Sequence, residues 1–102
     1  MNTTANALPV LTKHLCSEEV ERYRKLYIAV VGGRTYLVTV HKNYEYGEAI
    51  YSLSVYGCHN LARWKQGYSD ACTTALATTK VNARPLHAAR QFLHDTVARL
   101  AI

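Results

Sequence analysis

Apolar positions along this chain follow two rhythms. Between positions 26 and 57, β-branched, aromatic and aliphatic residues come in three runs, at 27–31, 35–40 and 50–56, with the alternation of half-buried strands. Gly32 and Gly33 separate the first two runs, and Asn43 and Gly47 bracket the gap before the third. A Gly-Gly pair between such runs signals a two-residue hairpin, because the primed turns need positive φ, which glycine adopts without strain. The segment 26–57 therefore reads as a three-stranded antiparallel meander. From Pro85 onward the rhythm changes: Leu86, Ala89, Leu93, Val97 and Leu100 recur at helical spacing, and Phe92 and Thr96 widen the stripe. Proline suits a first helical turn, where its missing N–H costs nothing. A C-terminal helix is predicted over 84–102, with Arg90, Gln91, His94, Asp95 and Arg99 outward.

Weaker signals fill the rest. Positions 1–7 read as a loose tail, and Leu8, Val10 and Leu11 as an extended apolar segment that Pro9 keeps out of a central strand. Ser17 is a plausible N-cap for a helix over 17–25. There Glu18, Glu19 and Glu21 come first and Arg22, Arg24 and Lys25 last, as the helix dipole favours. Positions 58–68 form a basic and aromatic connection carrying Arg63, Trp64, Lys65 and Tyr68. Ser69 and Asp70 open a segment, 69–81, that reads as a short helix or, given its threonines, an edge strand. The expected architecture is a single α+β domain over 1–102. Its sheet has three strands, or four if 69–81 is an edge strand, with an N-terminal helix and a C-terminal amphipathic helix packed on one face.

Register turns this outline into a prediction about surfaces. With a two-residue first turn, Val31 lies opposite Arg34, Ala29 opposite Tyr36 and Tyr27 opposite Val38. With 43–47 as the second loop, Val40 lies opposite Ile50, Val38 opposite Ser52 and Tyr36 opposite Ser54. Opposite residues share a face. One face then holds Ile28, Val30, Leu37, Tyr51, Leu53 and Val55 and is the drier, so it should carry the helices. The other holds Tyr27, Arg34, Tyr36, Lys42 and Tyr56 and should be wet, with Tyr44 and Tyr46 in the adjoining loop. A slip of one residue in either hairpin exchanges these roles.

Composition narrows the function. With 102 residues and 49% hydrophobic positions the chain can bury a core unaided. No apolar run reaches the roughly 18 residues that cross a bilayer and no leader is expected from the small, polar N-terminal residues, so a soluble, cytoplasmic protein without a membrane partner is expected. Twelve Lys and Arg against seven Asp and Glu give a net charge of +5, which favours anionic partners. Cys16, Cys58 and Cys72 are widely spaced and read as reduced, packed thiols. Neither His14 with Cys16 nor Cys58 with His59 has the spacing of a zinc knuckle, so no metal is expected.

Catalytic signatures are missing as well. The chain has no G-x-S-x-G, P-loop, H-E-x-x-H or glycine-rich dinucleotide fingerprint, and Gly32 and Gly33 join strands and do not open a helix. No catalytic residue and no cofactor is assigned, and a non-enzymatic role is expected.

The eight tyrosines carry the leading reading, since tyrosine brings a large, stiff contact area with a polar tip. The chain is expected to be a small binding protein that docks onto another protein or a nucleoprotein complex. A mobile-element inhibitor of a host nucleic-acid-guided defence complex is one form this would take. The expected contact residues are Tyr27, Arg34, Tyr36, Lys42, Tyr44, Tyr46, Tyr56, Arg63, Trp64 and Lys65. A second reading is direct nucleic-acid binding, with bases stacked on Tyr27, Tyr36 and Tyr56 and cations of the Arg63-Trp64-Lys65 loop on phosphates. The order helix, three strands, helix resembles double-stranded-RNA-binding domains in outline, although no run of lysines opens the last helix. The third is an oligomeric regulatory subunit, a homodimer formed through an open strand edge or through the apolar residues Val38, Val40 and Ile50.

Overall fold

The computed structural model describes residues 7–14 and 22–100. Five strands, β1 (Thr12–His14), β2 (Arg24–Val31), β3 (Arg34–Glu45), β4 (Glu48–Cys58) and β5 (Cys72–Val81), form one antiparallel sheet in chain order. A five-residue helix, α1 (Leu61–Lys65), and a 3-10 turn (Ser69–Ala71) connect β4 to β5, and α2 (Pro85–Leu100) closes the chain. The fold is thus α+β, with two strands more than the central meander.

The first hairpin has the predicted register, with Val31 opposite Arg34, Ala29 opposite Tyr36 and Tyr27 opposite Val38. The second does not. Its turn is only Tyr46 and Gly47, so residues 43–45 and 48–50 continue the ladder, pairing Val40 with Leu53, Val38 with Val55 and Tyr36 with Gly57. Relative to the expected pairing, β4 is shifted by three residues. An odd shift turns each of its side chains to the other face.

That shift gathers the aliphatics. Ala29, Tyr36, Val38, Val40, Leu53 and Val55 share one face and form the core with Ala89 and Leu93 of α2. The helix therefore covers the face expected to be wet. Fully burying a side chain such as Val38, Leu53 or Val55 stabilises the fold by about 1.5–3 kcal/mol. Of the three apolar residues that suggested a homodimer, Val38 and Val40 lie under α2, while Ile50 is turned to the other face, where it is half-buried.

The opposite face is partly roofed by α1. Asn60 caps that helix, its side chain accepting from the Arg63 N–H at 3.0 Å. The Trp64 ring meets the His14 ring of β1 at 4.8 Å, and Leu37, on this face, is only 4% exposed.

Elsewhere the expectations divide. Of the N-terminal helix expected over 17–25, positions 17–21 lie outside the described residues; Arg22 and Tyr23 form a turn, and Arg24 and Lys25 already belong to β2. The helical reading of 69–81 gives way to the edge strand β5 after one 3-10 turn, as its paired threonines favour. Leu11 packs against the core, and Arg90 turns inward, donating from Nε to the Pro9 carbonyl at 2.8 Å and from a guanidinium nitrogen to that of Leu8 at 3.2 Å. Asp95 accepts from Gln91 at 3.0 Å. Buried Thr96 donates to the Phe92 carbonyl at 2.8 Å. Among the described residues no helix is long and apolar enough to cross a membrane.

Candidate docking surface

Strands β3 and β4 outrun their neighbours. The β2 ladder reaches His41, with one further bond from Lys42 to Tyr23, and the β5 ladder reaches Tyr51; beyond these, among the described residues, the two strands pair with each other alone as far as Glu45 and Glu48. The result is a projecting two-stranded ribbon. Tyr46 and Gly47 turn it with φ of 53° and 80°, the sign pattern of a primed turn. Left-handed φ suits glycine or asparagine; a tyrosine there carries strain of about 1 kcal/mol or more. The Tyr46 ring is nonetheless fully exposed, at 104% of its reference surface, and Tyr44 beside it is 66% exposed.

A groove of about 420 Å³ lies at the ribbon's base, where α2 begins. Arg22, Lys25 and Lys42 line it with Tyr23, Tyr27 and Tyr51, over a floor of Val40, Pro85 and Leu86. Among the described residues no carboxylate lines it. The backbone locks its wall: Lys42 N–H donates to the Tyr23 carbonyl at 2.8 Å. The Lys42 ammonium sits 5.4 Å from the centre of the Tyr44 ring. Its pKa is raised, chiefly by a hydrogen bond with the Tyr44 phenol and then by the phenol charges of Tyr44 and Tyr51. Lys42 thus stays cationic and links groove to ribbon. At the ribbon itself Glu45 pairs with Lys80 of β5 at 3.3 Å.

The ten residues predicted to meet a partner do not form one surface. Tyr36 is core, 5% exposed, and Tyr27 is half-buried against the core, because the second hairpin's register and α2 seal that face. Tyr56 lies on the opposite face, opposite Leu37, in a cleft shared with Trp64 and Cys72. Arg34 is exposed at the far end of the sheet. Arg63 is engaged within the fold: its guanidinium holds Asp70 in two contacts of 2.9 and 3.0 Å and stacks on Tyr68 at 4.2 Å. Trp64 is half-buried on α1 and not in an open loop, and Lys65 is exposed beside it. Only Lys42, Tyr44 and Tyr46 come together in the open, with Tyr27 as a wall of the groove. Arg22, Tyr23, Lys25 and Leu86 join them without having been singled out in the sequence. The charges of Arg22 and Lys25 were assigned to a helix surface, and nothing local in the sequence places Leu86 beside β2.

Among the described residues no cluster of three or more His, Cys, Asp or Glu could hold a metal. No protein-family description, no curated protein and no solved structure matches the chain.

Proposed function

We propose that this chain is a non-enzymatic docking protein that inserts the Tyr44 and Tyr46 tip of its β3–β4 ribbon into an acidic surface of a partner protein. Tyr46 carries the reading. Asparagine or glycine would close the same turn with less strain. The Tyr46 ring packs on nothing in the fold, so its area is available outward. Strained residues that the fold does not need cluster at functional sites. Tyrosine is also a residue type that anchors protein interfaces. Arg22, Lys25 and Lys42 at the ribbon's base supply the charge that an acidic patch would complement, steering association and fixing orientation.

The partner is a protein or a nucleoprotein complex, and blocking a nucleic-acid-guided defence complex on behalf of a mobile element is the specific form carried over from the sequence. An acidic protein patch is favoured over bare nucleic acid because Tyr27, Tyr36 and Tyr56 share no open face on which bases could stack, and because Arg63 is already held by Asp70. Titration of labelled single-stranded and duplex DNA and RNA at about 50 and 200 mM salt separates the two. Docking to protein predicts at most weak binding that Tyr44→Ser with Tyr46→Ser leaves unchanged. Tight binding with a steep salt slope, lost in Lys42→Glu, would replace this reading with the nucleic-acid one.

A further inference from the structure

At the junction of β4 with the α1 connection, Cys58 stands directly opposite Cys72, the first residue of β5. Directly opposed residues of an antiparallel pair have Cα atoms about 4.5–5.5 Å apart, inside the roughly 4.4–6.8 Å span of a disulfide. Both are free thiols, and each lies close enough to bear on the other's proton. The backbone beside them is irregular, with Gly57 facing both Thr73 and Thr74, and the Gly57 N–H is satisfied by the Thr73 hydroxyl at 2.9 Å. Such a bulge gives the two chains local freedom to adjust. Cys58 is largely buried but lines an open cavity of about 640 Å³ with Gly57, His59 and Thr73, while Cys72 lines the separate cleft under Trp64. Both residues therefore border open space through which a small oxidant can approach the pair.

We propose that Cys58 and Cys72 are an oxidant-sensitive dithiol, a modification site at which a small hydroperoxide closes residues 58–72 into a ring by a reversible disulfide. In the first step the Cys58 sulfur takes the terminal oxygen of the hydroperoxide, giving a sulfenic acid and releasing the alcohol, or water from hydrogen peroxide. In the second the Cys72 sulfur attacks the sulfenic sulfur, the S–O bond breaks, and hydroxide leaves with the Cys72 proton as water. Two thiols and one hydroperoxide thus give one disulfide, one alcohol and one water. Burial, together with the hydrogen bond to Cys58, pushes the Cys72 thiol up to about 11, which suits it to be the second sulfur to react. The ring encloses α1, Trp64 and the Arg63–Asp70 pair and ties the start of the edge strand to its neighbour. Its formation restricts the unfolded chain.

The experiment uses the whole reduced protein carrying Cys16→Ser, so that only this pair can react. Treatment with hydrogen peroxide is expected to remove two hydrogen atoms from the monomer, link the Cys58 and Cys72 peptides, and raise Tm by several degrees, all reversed by dithiothreitol. Phenylarsine oxide, which bridges two neighbouring thiols, is expected to add once per chain and block both. Two thiols still free after peroxide and no arsenical adduct would overturn the proposal. So would disulfides between chains, or a sulfinic acid at one cysteine with the other untouched.

Discussion

Val38 and Val55 face each other across β3 and β4, and neither exposes any surface to solvent. This pair fixes the second hairpin's register and with it the face that α2 covers, so Tyr36, two residues before Val38, is core. Replacing Tyr36 by Ser should therefore destabilise the protein by about 3 kcal/mol or more, as loss of a large buried ring does. Leu53→Ala should cost roughly 2–5 kcal/mol. Urea unfolding of both variants checks this, and an unchanged midpoint for Tyr36→Ser would mean that the ring lies at the surface.

At the ribbon tip the expectation is opposite in sign. Tyr46→Asn relieves a left-handed tyrosine in a turn that asparagine tolerates, and it removes no packing. The variant should be more stable by about 0.5–1 kcal/mol, within the strain such residues carry. Thermal melts of the two proteins decide it. A loss of stability would show that the ring supports the fold after all.

Arg90 reaches across the core edge to the carbonyls of Leu8 and Pro9. Hydrogen bonds from a charged donor contribute about 1.5–3 kcal/mol. In Arg90→Met the stem still packs but the carbonyls lose their donor. The segment before β1 should then be cut by protease much sooner, with α2 still helical by circular dichroism.

Alkaline stability reports on the thiol pair. Folding raises the Cys72 pKa from 9.0 to about 11, through burial and then the hydrogen bond to Cys58, so the folded state holds this proton more tightly than the unfolded one. A pKa raised on folding contributes stability that is fully present below about pH 9 and lost as pH climbs towards 11. Under reductant, the unfolding midpoint of the native protein should fall through that window more steeply than that of Cys72→Ala. Parallel curves would contradict the assignment.

How much of this was legible before the fold was known depends on how local each signal is. Gly32 and Gly33 specify their turn through their own dihedral preference, and the first ladder follows residue by residue. The spacing of Ala89, Leu93 and Val97 likewise marks α2 and most of its buried stripe. Tyr46 and Gly47 misled because a tyrosine at positive φ is disfavoured, so a longer loop between Asn43 and Gly47 looked more natural than a tight turn. One signal was available: moving the turn to 46–47 lines up Val38 with Val55 and Val40 with Leu53, concentrating aliphatics on one face as a half-buried sheet requires. The groove was not legible, since Arg22, Lys42 and Leu86 meet only through long-range packing. The ribbon was half legible: Tyr44 and Tyr46 were placed outward, in a loop and not at the end of a ladder.

The docking account is tested most directly by reconstitution with a purified partner. A partner captured from nuclease-treated extract and then purified should form a stoichiometric complex with the native chain and with Tyr68→Ser, an exposed tyrosine away from the ribbon. It should form none with the Tyr44→Ser, Tyr46→Ser double variant, whose melting temperature should not fall, and a weaker one with Lys42→Glu. A complex that survives loss of both ribbon tyrosines, or that assembles only when nucleic acid is restored, would contradict the account.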